Sequence, residues 1–169
     1  ILDSGSNSKW NAVTLEAVSM VSQAYQLYKM ENTPTATTGL RDFTTYLNYV
    51  KLDSLKLMDS TYSSTTWDCA LAIRDCMVLH NGAIIRYSNQ PDSGFGHTAV
   101  TSATWFGVDP DGKVTTDGSA NSPGKSVFFW FYINGRVVTA GQTIPGTYMQ
   151  STLRVADPTA DPPWFSWGG

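Results

Sequence analysis

Charge is scarce in this chain. Only 15% of its 169 residues are Asp, Glu, Lys or Arg, against about 25% in a typical soluble protein. The eleven Lys and Arg are scattered through a chain of net charge −3, so no basic run tracks a phosphate backbone and nucleic acid is not an expected partner. No apolar stretch reaches the roughly 20 residues that cross a bilayer. No Walker loop, dinucleotide fingerprint or G-x-S-x-G elbow occurs, which removes the commonest phosphate-binding and nucleophile motifs. Histidine is limited to His80, beside a turn, and His97, after Gly94-Phe95-Gly96; neither has a Ser or Cys near it in a nucleophile setting. A carboxylate pair for glycoside hydrolysis leaves no local motif, but the Asp residues gather in turns, where turn chemistry accounts for them. The chain is not read as an enzyme, and no cofactor is expected.

What is present is a fold-sized, apolar-rich sequence. Hydrophobic content of 41% with 12% aromatic excludes wholesale disorder. A single domain of this length buries roughly 70% of its unfolded surface. Ser, Thr, Asn and Gly carry the polar balance, a composition commoner outside cells. The chain opens on Ile1 and is read as a processed piece of a longer one.

The two cysteines, Cys69 and Cys76, lie seven apart. On one helix their Cα atoms would stand roughly 10 Å apart, too far to bridge, so a disulfide requires a turn between them. The even count in a Ser/Thr-rich chain favours that disulfide over two buried thiols. With His80 the pattern becomes C-x6-C-x3-H, which lacks a fourth ligand and matches no common zinc spacing.

The first periodic segment is helical. Trp10, Val13, Ala17, Met20, Ala24 and Leu27 recur at steps of three and four, and Leu15, Val18, Val21, Tyr25 and Tyr28 add a second stripe. Ser8 is the expected N-cap, and Asn32-Thr33-Pro34 stops the helix because proline restricts the residue before it. A rod over 10–31, about 33 Å long, with apolar character on two sides can pack on its own sheet and still meet a neighbour.

Residues 33–66 read as a helix and loop connection, with Leu40, Phe43, Leu47 and Val50 at a weaker helical period. From 67 to 156 the period shortens towards two. Met77–His80 and Ala83–Tyr87 flank Asn81-Gly82, the signature of a hairpin with a two-residue type I′ turn. A strand over 100–108 ends at Asp109-Pro110-Asp111-Gly112. The apolar run Ser126–Ile133 is long enough for a strand covered on both faces, and Asn134-Gly135 leads to a partner over 136–139. Leu153 and Val155 are a candidate edge strand, and 157–169 a Pro-rich extended tail. The whole, 1–169, is one α+β domain: a long N-terminal helix packed on an antiparallel sheet.

Two ligand readings accompany this layout. Asp109, Asp111 and Asp117 are candidate calcium ligands, although Lys113 and Val114 stand where an EF-hand needs a ligand and a glycine. A type I turn explains the same residues. Among six tryptophans, Trp10, Trp105 and Trp130 lie in apolar runs and read as core. Trp67, Trp164 and Trp167 have polar surroundings, so the alternative reading is a secreted module that binds carbohydrate or a cell-surface ligand.

The order of these pieces carries a resemblance. Trp10-Asn11-Ala12-Val13-Thr14-Leu15-Glu16-Ala17, on through Ala24-Tyr25-Gln26-Leu27-Tyr28, resembles the second half of the spine helix of bacterial type IV pilins and type II secretion pseudopilins. Thr104-Trp105-Phe106-Gly107-Val108-Asp109-Pro110-Asp111-Gly112-Lys113 is similar to a strand-turn of minor pseudopilins, and Gly124–Phe129 with Tyr132–Arg136 to the strand pair after it. These segments fall between Trp10 and Arg136. The resemblance implies a pilin-like fold and a structural subunit whose partners are other pilin or pseudopilin subunits. It implies an apolar half-helix before Ile1 that anchors the precursor in the inner membrane, and a final place in the periplasm or on the cell surface. The assembly helix would then present Trp10, Val13, Ala17, Met20, Ala24 and Leu27.

Overall fold

The computed structural model describes residues 2–47, 49–52, 74–91, 94–96, 103–112, 127–139 and 165–167; for 2–7, 49–52 and 74 it describes the backbone alone. Helix α1 runs Leu2–Glu31, 30 residues. Ser8 is therefore an interior residue and not the N-cap expected from its hydroxyl. The C-terminal stop falls where Pro34 places it. Asn32 closes the helix with its N–H on Tyr28 O at 2.9 Å and its Nδ2 on the same oxygen at 3.1 Å.

A short helix α2 (Leu40–Phe43) and a 3₁₀ turn (Thr44–Tyr46) follow. The helical period through Val50 is overturned. Leu47 is already extended, at φ −76° and ψ 143°, and Tyr49–Leu52 is strand β1. Four apolar positions spaced three or four apart fit a helix, but Tyr-Val-Lys-Leu also alternates, and a waiting strand edge decides between the two. That edge belongs to β2 (Arg74–Leu79).

The sheet continues through β3 (Ile84–Ser88), β4 (Ala103–Asp109), β5 (Val127–Tyr132) and β6 (Val137–Thr139), all antiparallel and in sequence order. The protein is α+β. The strands expected over 77–80, 83–87, 100–108, 126–133 and 136–139 are found to within three residues at each end.

The hairpin turns differ from expectation. At the first, Gly82 N–H bonds Leu79 O at 3.0 Å and Leu79 N–H bonds Ala83 O at 2.8 Å. The loop is thus three residues, His80-Asn81-Gly82, with only the glycine needing a positive φ of 87°: a type I turn with a bulge, not a type I′ turn. Tyr132, Gly135 and Arg136 repeat the pattern at the second hairpin. Both asparagines favour it by accepting from the N–H two residues on, Asn81 from Ala83 at 3.0 Å and Asn134 from Arg136 at 2.9 Å.

Alternation sorts the sheet into two buried faces. Met77, Leu79, Ile85, Tyr87, Phe106, Val108, Val127, Phe129 and Phe131 share one core with Ala17, Val18, Val21, Ala24 and Tyr25 of α1 and with Leu40 and Phe43 of α2. Cys76, Ile84, Trp105, Phe128 and Trp130 form a second cluster on the opposite face. The continuous apolar run of β5 is explained: both of its sides are covered.

Candidate functional site

Helix α1 is the element on which the functional reading turns, and its two ends are held differently. Near its C-terminal end the contact is aromatic. The Tyr25 ring lies 5.1 Å from Phe43, 5.5 Å from Phe95 and 5.0 Å from Phe131, between centroids, each pair tilted or edge-on, the arrangement that ring quadrupoles favour. The Tyr25 hydroxyl donates to Ile133 O at 2.5 Å. Burial, with Tyr28 alongside, pushes the Tyr25 phenol up to about 12. Lys29 lays its ammonium over the same ring at 4.7 Å.

Phe95 reaches this nest because glycines flank it. Phe95 N–H bonds Thr38 O at 2.8 Å and Gly96 N–H bonds Ala36 O at 2.7 Å. A Cβ on Gly94 would stand 2.5 Å from the Thr37 carbonyl carbon, so only glycine allows the two backbones to meet. At the helix terminus, Tyr46 donates to the Glu31 carboxylate at 2.8 Å, and that bond holds its phenol above the usual range.

The N-terminal half of α1 is fastened by amides. Asn81, in the first hairpin turn, donates to Val13 O at 3.3 Å and to the Glu16 carboxylate at 2.8 Å. Asn11 exchanges a pair of bonds with Ser166, Nδ2 to O at 3.0 Å and N–H to Oδ1 at 2.7 Å. Of the tail expected over 157–169, residues 165–167 are described: Phe165 is buried and stands edge-on to Phe129 at 5.7 Å, with Trp167 against both rings.

The stripe expected to serve assembly is divided by this packing. Ala17 and Ala24 are buried in the chain's own core; Trp10, Val13 and Met20 are half-buried against it; Leu27 is exposed. The face that α1 turns outward consists of Ala12, Glu16, Ser19, Gln23, Gln26, Leu27 and Met30, with Met30 80% exposed. Sequence periodicity followed the apolar residues and passed over this row, although its spacing of three and four is equally regular. Asn11 could have been found as a polar residue in the buried stripe with Thr14, whose hydroxyl bonds Trp10 O at 2.9 Å.

The other candidate residues are dispersed. Asp109 is fully buried at the end of β4, and Asp111 is half-buried in the turn that follows; Asp117 lies outside the described residues. Among the described residues no three His, Cys, Asp or Glu are placed to hold a metal ion. Cys76 is buried on the second sheet face and is disulfide-bonded, not a free thiol. Cys69 lies outside the described residues, as do His97, Trp67, Trp164, Leu153 and Val155. Arg86, 2% exposed, stacks over Trp105 at 5.6 Å on that face. Trp105 and Trp130 are buried and Trp10 half-buried, leaving Trp167 as the exposed described tryptophan, at 43%. No described helix is long and apolar enough to cross a membrane.

Comparison with family models, with curated proteins and with solved structures returns no match.

Proposed function

We propose that the chain is a structural subunit of a bacterial surface filament or secretion pseudopilus, built like a type IV pilin and assembling through its N-terminal helix. The observation that carries this reading is the two-sidedness of α1. Thirty residues make a rod about 45 Å long, long for a chain of this size. One side is spent on the sheet through Ala17, Val18, Val21, Ala24 and Tyr25. The outward row from Ala12 to Met30 is left for neighbours. Small and amide side chains there allow a second rod to approach while few charges lose water. A contact between unlike faces that does not close propagates as a helical fibre. The rest of the chain supplies the rigid backing: a six-stranded sheet apolar on both faces.

In this reading an apolar segment encoded before Ile1 anchors the precursor in the inner membrane and later lines the fibre core. The partners are other subunits of the same kind. The test is to express the natural coding sequence, read its upstream segment and image the product by electron microscopy. The expected result is about 20 to 25 apolar residues before Ile1 and fibres that Ser19→Arg with Gln23→Arg abolishes while the chain stays folded. An ordinary cleaved signal peptide directly before Ile1 overturns the proposal.

A further inference from the structure

Asparagine followed by glycine occurs twice in the chain, at Asn81-Gly82 and Asn134-Gly135, and the two pairs sit in loops of one form. In each, the glycine N–H bonds the carbonyl three residues back, Leu79 O at 3.0 Å and Tyr132 O at 2.8 Å. In each, the asparagine Oδ1 accepts from the N–H two residues on. Glycine has no Cβ to shield its nitrogen, so that nitrogen can close on the carboxamide carbon before it, and asparagine is thermolabile for this reason. Closure requires the glycine N–H to leave its carbonyl. The rate therefore follows the population of the opened loop.

The loops differ in how they are held. Asn81 is half-buried, and its Nδ2 donates to Val13 O at 3.3 Å and to the Glu16 carboxylate at 2.8 Å. Its hairpin joins β2 to β3, which have β1 and β4 on their outer sides. Asn134 is exposed, and its Nδ2 has no partner among the described residues. Its hairpin joins β5 to the three-residue β6, at the end of the described sheet. The Tyr25 hydroxyl ties Ile133 O, but that bond leaves the Asn134 carboxamide and the peptide unit after it to the loop's own bonds. Opening the first loop breaks bonds to α1, one of them to a charged acceptor, and such bonds are the stronger kind.

We propose that Asn134 is a modification site at which the folded chain hydrolyses its own carboxamide, while α1 protects Asn81 from the same reaction. Water is the only co-reactant. Solvent base takes the Gly135 N–H proton, the nitrogen bonds Asn134 Cγ, and the carboxamide nitrogen leaves as ammonia after water protonates it. Water then adds to either carbonyl of the five-membered imide and cleaves its C–N bond, giving aspartate or isoaspartate at position 134. Overall one water enters and one ammonia leaves. Aspartate keeps an acceptor for Arg136 N–H, whereas isoaspartate inserts a carbon into the backbone of the loop that presents Ile133 O to Tyr25. No neighbouring subunit takes part, so the site is independent of the filament reading.

The test incubates the wild-type chain warm at mildly alkaline pH and follows it by mass spectrometry, with an unincubated sample as baseline. After reduction, trypsin releases Asn81 within 75–86 and Asn134 within 126–136, so the exchange of NH2 for OH is read separately at each. Each rate is divided by that of the same asparagine in the urea-unfolded chain, which removes the effect of the residue before it. Asn134 should retain at least about a hundredth of its unfolded rate, and Asn81 should be at least about tenfold more protected than Asn134. Glu16→Ala should speed loss at Asn81 at least about threefold and leave Asn134 unchanged. Equal protection at the two sites, stronger protection at Asn134, or loss at Asn81 indifferent to Glu16→Ala overturns the proposal.

Discussion

The two halves of α1 make a comparison within one element. The C-terminal half is held by a nest of rings around Tyr25, where many weak dispersion contacts add up and direction matters little. The N-terminal half is held by two asparagines, Asn11 of the helix itself, which bonds Ser166, and Asn81 of the first hairpin turn, which bonds Val13 and Glu16, where a few bonds depend on geometry. The first kind of contact supplies stability; the second supplies position, and it can be undone one bond at a time.

Removing rings should hurt most. Tyr25→Ala leaves a cavity between Phe43, Phe95 and Phe131 and is expected to cost about 3–5 kcal/mol, read as a lowered midpoint in urea at unchanged slope. A loss below about 1 kcal/mol would break the distinction between the halves. Gly94→Ala ranks next, because its Cβ meets the Thr37 carbonyl at 2.5 Å and backbone cannot swing aside as a side chain can. About 1–3 kcal/mol is expected, measured by thermal melting.

At the amide end the effects are smaller. Asn81→Ala removes the bonds to Ala83 N–H, Val13 O and Glu16 and should cost about 1–2 kcal/mol. Hydrogen exchange should quicken in residues 8–16 while the Tyr25 region stays protected. A uniform change along α1 would mean that the two halves are one cooperative unit.

The mildest probe is pH. The Tyr25 phenol titrates near 10.0 when unfolded and at about 12 in the fold. Between those values the unfolded chain gives up a proton that the folded chain keeps. Stability is therefore complete below about pH 10 and declines from there to about pH 12. Tyr25→Phe should flatten that decline and cost about 1 kcal/mol at neutral pH through the lost bond to Ile133 O. An unaltered alkaline slope would assign the titration to another group.

Much of this architecture could be read in advance, and the reason differs by element. The hairpins were legible because Asn81-Gly82 and Asn134-Gly135 sit between apolar runs, and the end of α1 because Pro34 forbids continuation. Turn type was not legible, since Asn-Gly serves both the two-residue and the three-residue loop, and the asparagine side-chain bond chooses between them. β1 was misread because four apolar residues carry too little periodicity to separate helix from strand. Among the site residues, the apolar stripe was visible, but which side of α1 faced the sheet was not, because two apolar stripes compete and only the sheet's shape ranks them.

The amino-acid order by itself determined that a helix comes first, that antiparallel strands follow, and that β5 is covered on both faces. Periodicity, turn residues and apolar runs are local, and each acts within a few residues. Only the tertiary structure decided that Ala17 and Ala24 are core, that Ala12 to Met30 face outward, and that Asn11 meets Ser166 across 155 positions. Those outcomes depend on which surfaces meet, and a contact between distant residues leaves no periodic trace in either of them.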